Sequence, residues 1–167
     1  FNYGGIYREY FYQHLSSPLI AGHIYCLSYF VTRTDRCQYA IKNIDAYFTA
    51  TLPYMPTYAN IPATPQITNQ TGFVSDTTQW TQIQGCFTAN GGEQYMIMGN
   101  FKNDANTDTL FVGTNNPDPN YPGSQYYYSY YFFDDITLVD QMTVGIKGIA
   151  GNTDFQTYPN PTTGLIN

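Results

Sequence analysis

Ile24-Tyr25-Cys26-Leu27-Ser28-Tyr29-Phe30-Val31 is a near-continuous apolar run of strand length, bounded by polar residues from Thr32 to Gln38. A run this short, rich in aromatic and β-branched residues, reads as a buried β-strand. Working outward, Ser16-Ser17-Pro18-Leu19-Ile20-Ala21-Gly22-His23 carries the Pro and Gly of a connection, and residues 6–15 alternate loosely before it. On the other side, Ala40 to Phe48 reads as a further strand with Ile41, Ile44, Ala46 and Phe48 able to pack, although spacing alone also permits a helix there. Trp80-Thr81-Gln82-Ile83-Gln84-Gly85-Cys86-Phe87-Thr88-Ala89 is another strand, closed by Asn90-Gly91-Gly92, and Tyr95 to Phe101 is expected as its hairpin partner. Tyr126 to Val139 reads as the last strong strand.

Between these runs lie two long polar excursions. Residues 53–72 hold Pro53, Pro56, Pro62 and Pro65, and residues 102–125 are dominated by Asn, Asp, Thr, Pro and Gly, with a short strand expected at Leu110 to Val112. Loops of this length in a compact domain tend to be functional or mobile. The composition agrees with an all-β chain. There are 18 Tyr, 11 Phe and 1 Trp beside 14 Gly and 10 Pro, while charged residues make up only 11%. Aromatics suit pleated surfaces, Gly and Pro suit turns, and scarce Lys and Glu disfavour exposed helices. The 167 residues suffice for one domain with a real core plus a tail.

A net charge of −6 argues against a phosphate-binding surface, so nucleic-acid recognition is excluded as a function class. No apolar stretch is long enough to span a bilayer, and no membrane insertion is expected. The chain begins at Phe1 without a leader pattern, which reads as processing or as a piece of a longer polypeptide. Cys26, Cys37 and Cys86 leave one odd thiol however they pair. Cys26 with Cys86, both inside expected strands, is the first pairing to consider. Cys26 with Cys37 is the second, and three buried thiols are the alternative. No Cys-x-x-Cys spacing supports structural zinc.

Two segments, Leu15 to Val31 and Trp80 to Tyr95, taken with Met98-Gly99-Asn100-Phe101 and Phe133-Asp134-Asp135-Ile136, resemble the jelly-roll domains of secreted Bacteroidota proteins, related in fold to carbohydrate-binding modules and galactose-binding-like domains. The resemblance covers roughly residues 6–140 and implies an antiparallel jelly-roll β-sandwich with long loops over residues 1–141. Such domains usually begin with an Asn-x-x-Phe-Glu strand that this chain lacks, so an N-terminal strand is expected to be missing and a sheet edge left open. Residues 142–157 are expected to form an extended linker or one short extra strand. At the end, Tyr158-Pro159-Asn160-Pro161-Thr162-Thr163-Gly164 resembles the start of the C-terminal sorting domain of type IX secretion cargo, which would occupy residues 158–167. Pro159, Asn160, Pro161 and Gly164 carry that resemblance, which implies the type IX machinery as a partner and a secreted, extracellular or outer-surface location.

The same resemblance implies a structural calcium ion at Asp134 and Asp135, although hard Ca²⁺ takes about six to eight oxygens. A solvated or hydrogen-bonded strand-end pair is the competing state. Asp76-Thr77-Thr78 and Asp108-Thr109-Leu110 look like triplets that these bacteria glycosylate on threonine, which points to Thr77 and Thr109. Asn69-Gln70-Thr71 fits the N-glycosylation pattern, a weak signal in a bacterium.

The Tyr126-Tyr127-Tyr128-Ser129-Tyr130-Tyr131-Phe132-Phe133 run puts aromatics on both faces of one strand. Aromatic rings stack on sugars, so Tyr126, Tyr128, Tyr130 and Trp80 are candidates for a glycan or surface-polymer site. The competing account makes one face core and packs the other against a loop or a neighbouring copy. Catalysis finds little footing. His14 and His23 lie near turns without a nucleophile motif, and the adjacent Asp134 and Asp135 should point to opposite faces of a strand. The expectation is a secreted, non-enzymatic binding or adhesion module. A structural subunit of an extracellular fibre or surface layer, assembling as a homopolymer through aromatic faces and strand edges, is the alternative.

Overall fold

The computed structural model describes residues 7–54, 59–113 and 128–143. Eight strands run along them: β1 Phe11–His14, β2 Ile24–Arg33, β3 Tyr39–Ile41, β4 Asp45–Thr49, β5 Thr81–Thr88, β6 Tyr95–Gly99, β7 Thr109–Phe111 and β8 Tyr131–Asp140. They form three antiparallel sheets in the orders β1-β6-β4, β5-β2-β8 and β3-β7. Among the described residues the chain is all-β, with two short 3₁₀ turns, and no helix is long and apolar enough to cross a membrane.

The two three-stranded sheets pack face to face in a sandwich-like arrangement. Tyr25, Leu27, Tyr29 and Val31 of β2 alternate inward and meet Ile83 of β5, Ala46 and Phe48 of β4, and Met96 and Met98 of β6 in one core. The Phe48 and Phe87 rings stack across it at 4.6 Å. The β1-β6-β4 sheet is covered on its other face too, where Ile97 packs with Ile61 and Phe101 and against Tyr10 and Tyr47. That second cover explains why Met96, Ile97 and Met98 are all buried in succession.

The hairpin expected between the Trp80 and Tyr95 strands does not form. β5 pairs with β2, and β6 pairs with β1 and β4, so Asn90-Gly91-Gly92 carries the chain from one sheet to the other. A hairpin turn would leave this segment to two strand ladders. Instead the Glu93 carboxylate accepts the Asn90 and Gly91 N–H groups, and the backbone exchanges bonds with Leu19, whose N–H donates to Glu93 O while Gly92 N–H donates to Leu19 O. The Ala40–Phe48 strand is likewise divided into β3 and β4 with Lys42 to Ile44 between them. The last strand starts later than expected, at Tyr131. Tyr126 and residues 144–167, including Pro159, Asn160, Pro161 and Gly164 and most of the expected linker, lie outside the described residues.

Gly91 sits at φ +96° with Ala21 against it, where an added Cβ would come within 2.7 Å of the Ala21 Cβ and 2.9 Å of its backbone nitrogen. Gly92, at φ +87°, has open space around it. Gly91→Ala should therefore lose about 2–3 kcal/mol in urea unfolding, and Gly92→Ala only about 1 kcal/mol, because the second bears backbone strain alone. Equal losses would mean that Ala21 is not pressed against the turn.

Candidate functional site

The outer face of the β5-β2-β8 sheet is built by the residues that alternate away from the core. Its cross-strand rows are Cys86–Cys26–Val139, Gln84–Ser28–Thr137 and Gln82–Phe30–Asp134, followed by Thr32–Phe132. Cys26 and Cys86, directly opposite in register, are joined as a disulfide on this face, and Gln82 Nε2 donates to Ser28 Oγ at 2.9 Å. Cys37 is a free, buried thiol, pushed up to about 11 chiefly by burial, which keeps it in the unreactive protonated form.

Aromatic rings gather at one end of this face. Trp80 immediately precedes Thr81, the partner of Val31, and Phe132 pairs with Thr32, the next residue of β2. Trp80 is 45% exposed, Tyr130 47% and Phe132 52%, and the last two meet edge to face at 5.9 Å. Tyr128 is also exposed. Tyr131 turns the other way. Its hydroxyl donates to Val74 O and accepts the Ile41 N–H, and burial pushes it up to about 12. From Tyr128 to Phe133 the rings therefore divide their roles, with Tyr131 and Phe133 against the core and Tyr128, Tyr130 and Phe132 on the surface.

Asp134 and Asp135 lie at a β-bulge. Ser28 pairs with Thr137 and Phe30 with Asp134, so Asp135 and Ile136 together oppose Tyr29. Asp135 takes φ +48°, and its N–H donates to Asp134 Oδ1. The extra residue breaks the alternation that would put the two side chains on opposite faces, and both are exposed. Their carboxylates bring at most about four oxygens to one place, fewer than the six to eight Ca²⁺ takes, so an ion there would draw on backbone carbonyls and water. Among the described residues no three His, Cys, Asp or Glu side chains converge.

Of the threonine sites, Thr109 is exposed on β7, while Thr77 is half-buried in a turn where Asp76 Oδ1 accepts the Thr78 and Gln79 N–H groups. Asn69 is buried. Its amide donates to Lys42 O and Gly72 O and its oxygen accepts from Thr71, so the sequon asparagine is a structural clamp. His14 packs edge to face on Tyr95, and His23 Nδ1 lies 2.8 Å from Asp140 Oδ2.

A second concavity escaped sequence reasoning. An open, polar groove of about 600 Å³ is walled by Lys42 and Asn43, by Thr68 to Gln70, and by Lys102, Asn106 and Asp108, with Asp45 on its floor. Its walls are braced, since Asn43 Oδ1 accepts the Asp108 N–H, Lys42 N–H donates to Asp108 O, and Asp45 Oδ1 accepts the Asn69 N–H. These residues are scattered from 42 to 108. Their one sequence signal is that Lys42 and Lys102 are two of only six cations in the chain.

No family model matches the chain, and neither a curated protein nor a solved structure shows significant similarity.

Asp45 is 3% exposed, and burial raises its carboxyl above the ordinary range despite the Asn69 N–H bond and the charge of Lys102. A raised carboxyl binds its proton more tightly in the folded state, so its contribution is fullest below the ordinary value of about 3.9 and is lost as pH rises. Asn at this position keeps an acceptor for Asn69 without the charge. Asp45→Asn should be more stable than the parent at pH 7, with the gap in urea midpoints narrowing toward about pH 4. A gap that widens on acidification would contradict the assignment.

Proposed function

We propose that this chain is a secreted, surface-displayed module that binds a glycan or other surface polymer through the outer face of the β5-β2-β8 sheet and has no catalytic role. The observation that carries this reading is the half-exposed Trp80, Tyr130 and Phe132 rings at one end of a sheet face whose further rows carry Gln82, Gln84 and Ser28. Rings of this kind cover the apolar faces of sugars, and neighbouring amides and hydroxyls satisfy the sugar hydroxyls. A buried packing role, the competing account, fits Tyr131 and Phe133, which join the core, better than the exposed rings. The finer jelly-roll assignment, type IX export through Pro159, Asn160, Pro161 and Gly164, calcium at Asp134 and Asp135, and glycosylation at Thr77 and Thr109 belong to the same proposal.

A glycan array followed by calorimetry tests it. Trp80→Ala and Tyr130→Ala should each weaken the best saccharide by about tenfold with unchanged thermal unfolding, as expected for a lost stacking contact worth about 1.4 kcal/mol. Full affinity in both variants would remove the aromatic face from the site.

The alternative, a subunit of an extracellular fibre or surface layer, draws on β1. All its residues are exposed, Phe11 and Tyr12 among them, and among the described residues it pairs only with β6. An open edge of this kind can accept a strand from another copy. Electron microscopy over a range of concentrations should then show ordered filaments that are lost in a Phe11→Lys, Tyr12→Lys double variant. Particles that stay monodisperse throughout would leave the binding module alone.

A further inference from the structure

We propose that the Lys42–Lys102 groove is a second saccharide subsite, selective for sugars that carry a carboxylate, such as uronic acids. The inference rests on the saccharide-binding reading above but concerns a different surface. The chain has twelve acidic residues against six Lys and Arg, and two of those six, Lys42 and Lys102, line one groove. Neither lysine takes part in the Arg8–Asp104 or His23–Asp140 ion pair, and the charge of Lys102 reaches Asp45 without an ion pair between them. Two lysines thus line one polar groove of about 600 Å³, neither of them taking part in those ion pairs. The volume falls in the usual range for a small-ligand site, about 300–1,000 Å³.

The rest of the lining sets the class of ligand. Asp45 and Asp108 share the groove and Gln70 and Asn106 stand on its walls, so acceptors and amides are present in number. A densely charged phosphate would meet two carboxylates as well as two ammonium groups, and the repulsion would cancel much of the gain. A uronate fits the mixture better. Its single carboxylate takes the ammonium groups as charge-assisted donors, while its hydroxyls donate to Asp45 or Asp108 and accept from the amides. Bonds through Asn43 Oδ1, the Lys42 N–H, Asp45 Oδ1 and the Asn69 carboxamide fix the walls of the groove before any ligand arrives, which lowers the ordering cost of binding.

An array of galacturonate, glucuronate and mannuronate oligosaccharides, with their neutral and sulfated counterparts, tests the inference on the full chain. Lys42→Gln with Lys102→Gln should weaken uronate binding about tenfold, and Lys42→Arg with Lys102→Arg should retain it, because charge is preserved. Binding of neutral sugars should depend on Trp80 and ignore both lysines. Uronates bound with equal strength by the Gln double variant, or neutral or sulfated sugars preferred over uronates, would overturn the acidic subsite while leaving the saccharide reading in place. An array with no binding of any sugar would overturn both.

Discussion

The hydroxyl of Tyr29 is the constraint on which the two halves of the structure depend. The residue is fully buried at the centre of β2, and a phenol there must find a partner or leave a polar group stranded at a cost of about 1–3 kcal/mol. Its hydroxyl donates to Ile44 O at 2.8 Å, which ties the β5-β2-β8 sheet to the residue just before β4. Burial also drives its pKa strongly upward, so the donor is never lost near neutral pH. Fixing Ile44 fixes Asp45 beside it, and the Asp45 carboxylate then holds the Asn69 N–H. One core hydrogen bond is thereby connected through consecutive contacts to the floor of the groove. On the opposite side, Tyr29 faces the bulge in β8, where Asp135 and Ile136 share its place in the register.

A chain with so few charges fastens its loops by other means. Asn, Asp, Gln and Thr side chains replace ion pairs, each capping backbone groups that no ladder reaches. Gln66 is the clearest example. Its carboxamide accepts the Phe48 N–H and donates to Phe48 O, so one side chain imitates a strand at the edge of β4, next to the Ala46–Ile67 bridge. Gln66 and Ile67 are therefore the cover of this sheet edge, and they protect β4 from pairing with another molecule. Arg33 shows the same habit inside the protein. It is buried, and its guanidinium donates to the carbonyls of Ser75, Thr34 and Cys37.

What the sequence disclosed follows from how local each signal is. The apolar run of β2 and the strands at β5 and β6 were legible because strand length and β-rich composition act within a few residues. Their partners were not, since Asn90-Gly91-Gly92 looks the same whether it closes a hairpin or crosses between sheets, and Leu19 and Ala21, seventy residues earlier in the chain, decide between them. The division of Ala40–Phe48 hangs on bonds to Asp108 and Tyr131, which are also far off in sequence. For the candidate surfaces the same limit applies. Trp80 and Tyr130 stood out as aromatics, whereas the groove needed the fold to bring residues 42, 69 and 102 together, and the bulge that turns Asp134 and Asp135 to one side has no marker in the Asp-Asp pair itself.

The two surfaces also differ in how far their attraction reaches. With a net charge of −6, the chain repels an acidic polymer at long range, and at physiological ionic strength that field decays over about 8 Å. The Lys42 and Lys102 ammonium groups act only inside that distance, among the carboxylates of Asp45 and Asp108. An acidic sugar would therefore gain nothing from electrostatic steering and would be sorted at contact, by whether its carboxylate reaches the lysines. The aromatic end of the outer sheet has no such dependence, because stacking on Trp80, Tyr130 and Phe132 involves no net charge. In the proposed saccharide reading, capture would fall to the uncharged face and discrimination to the groove.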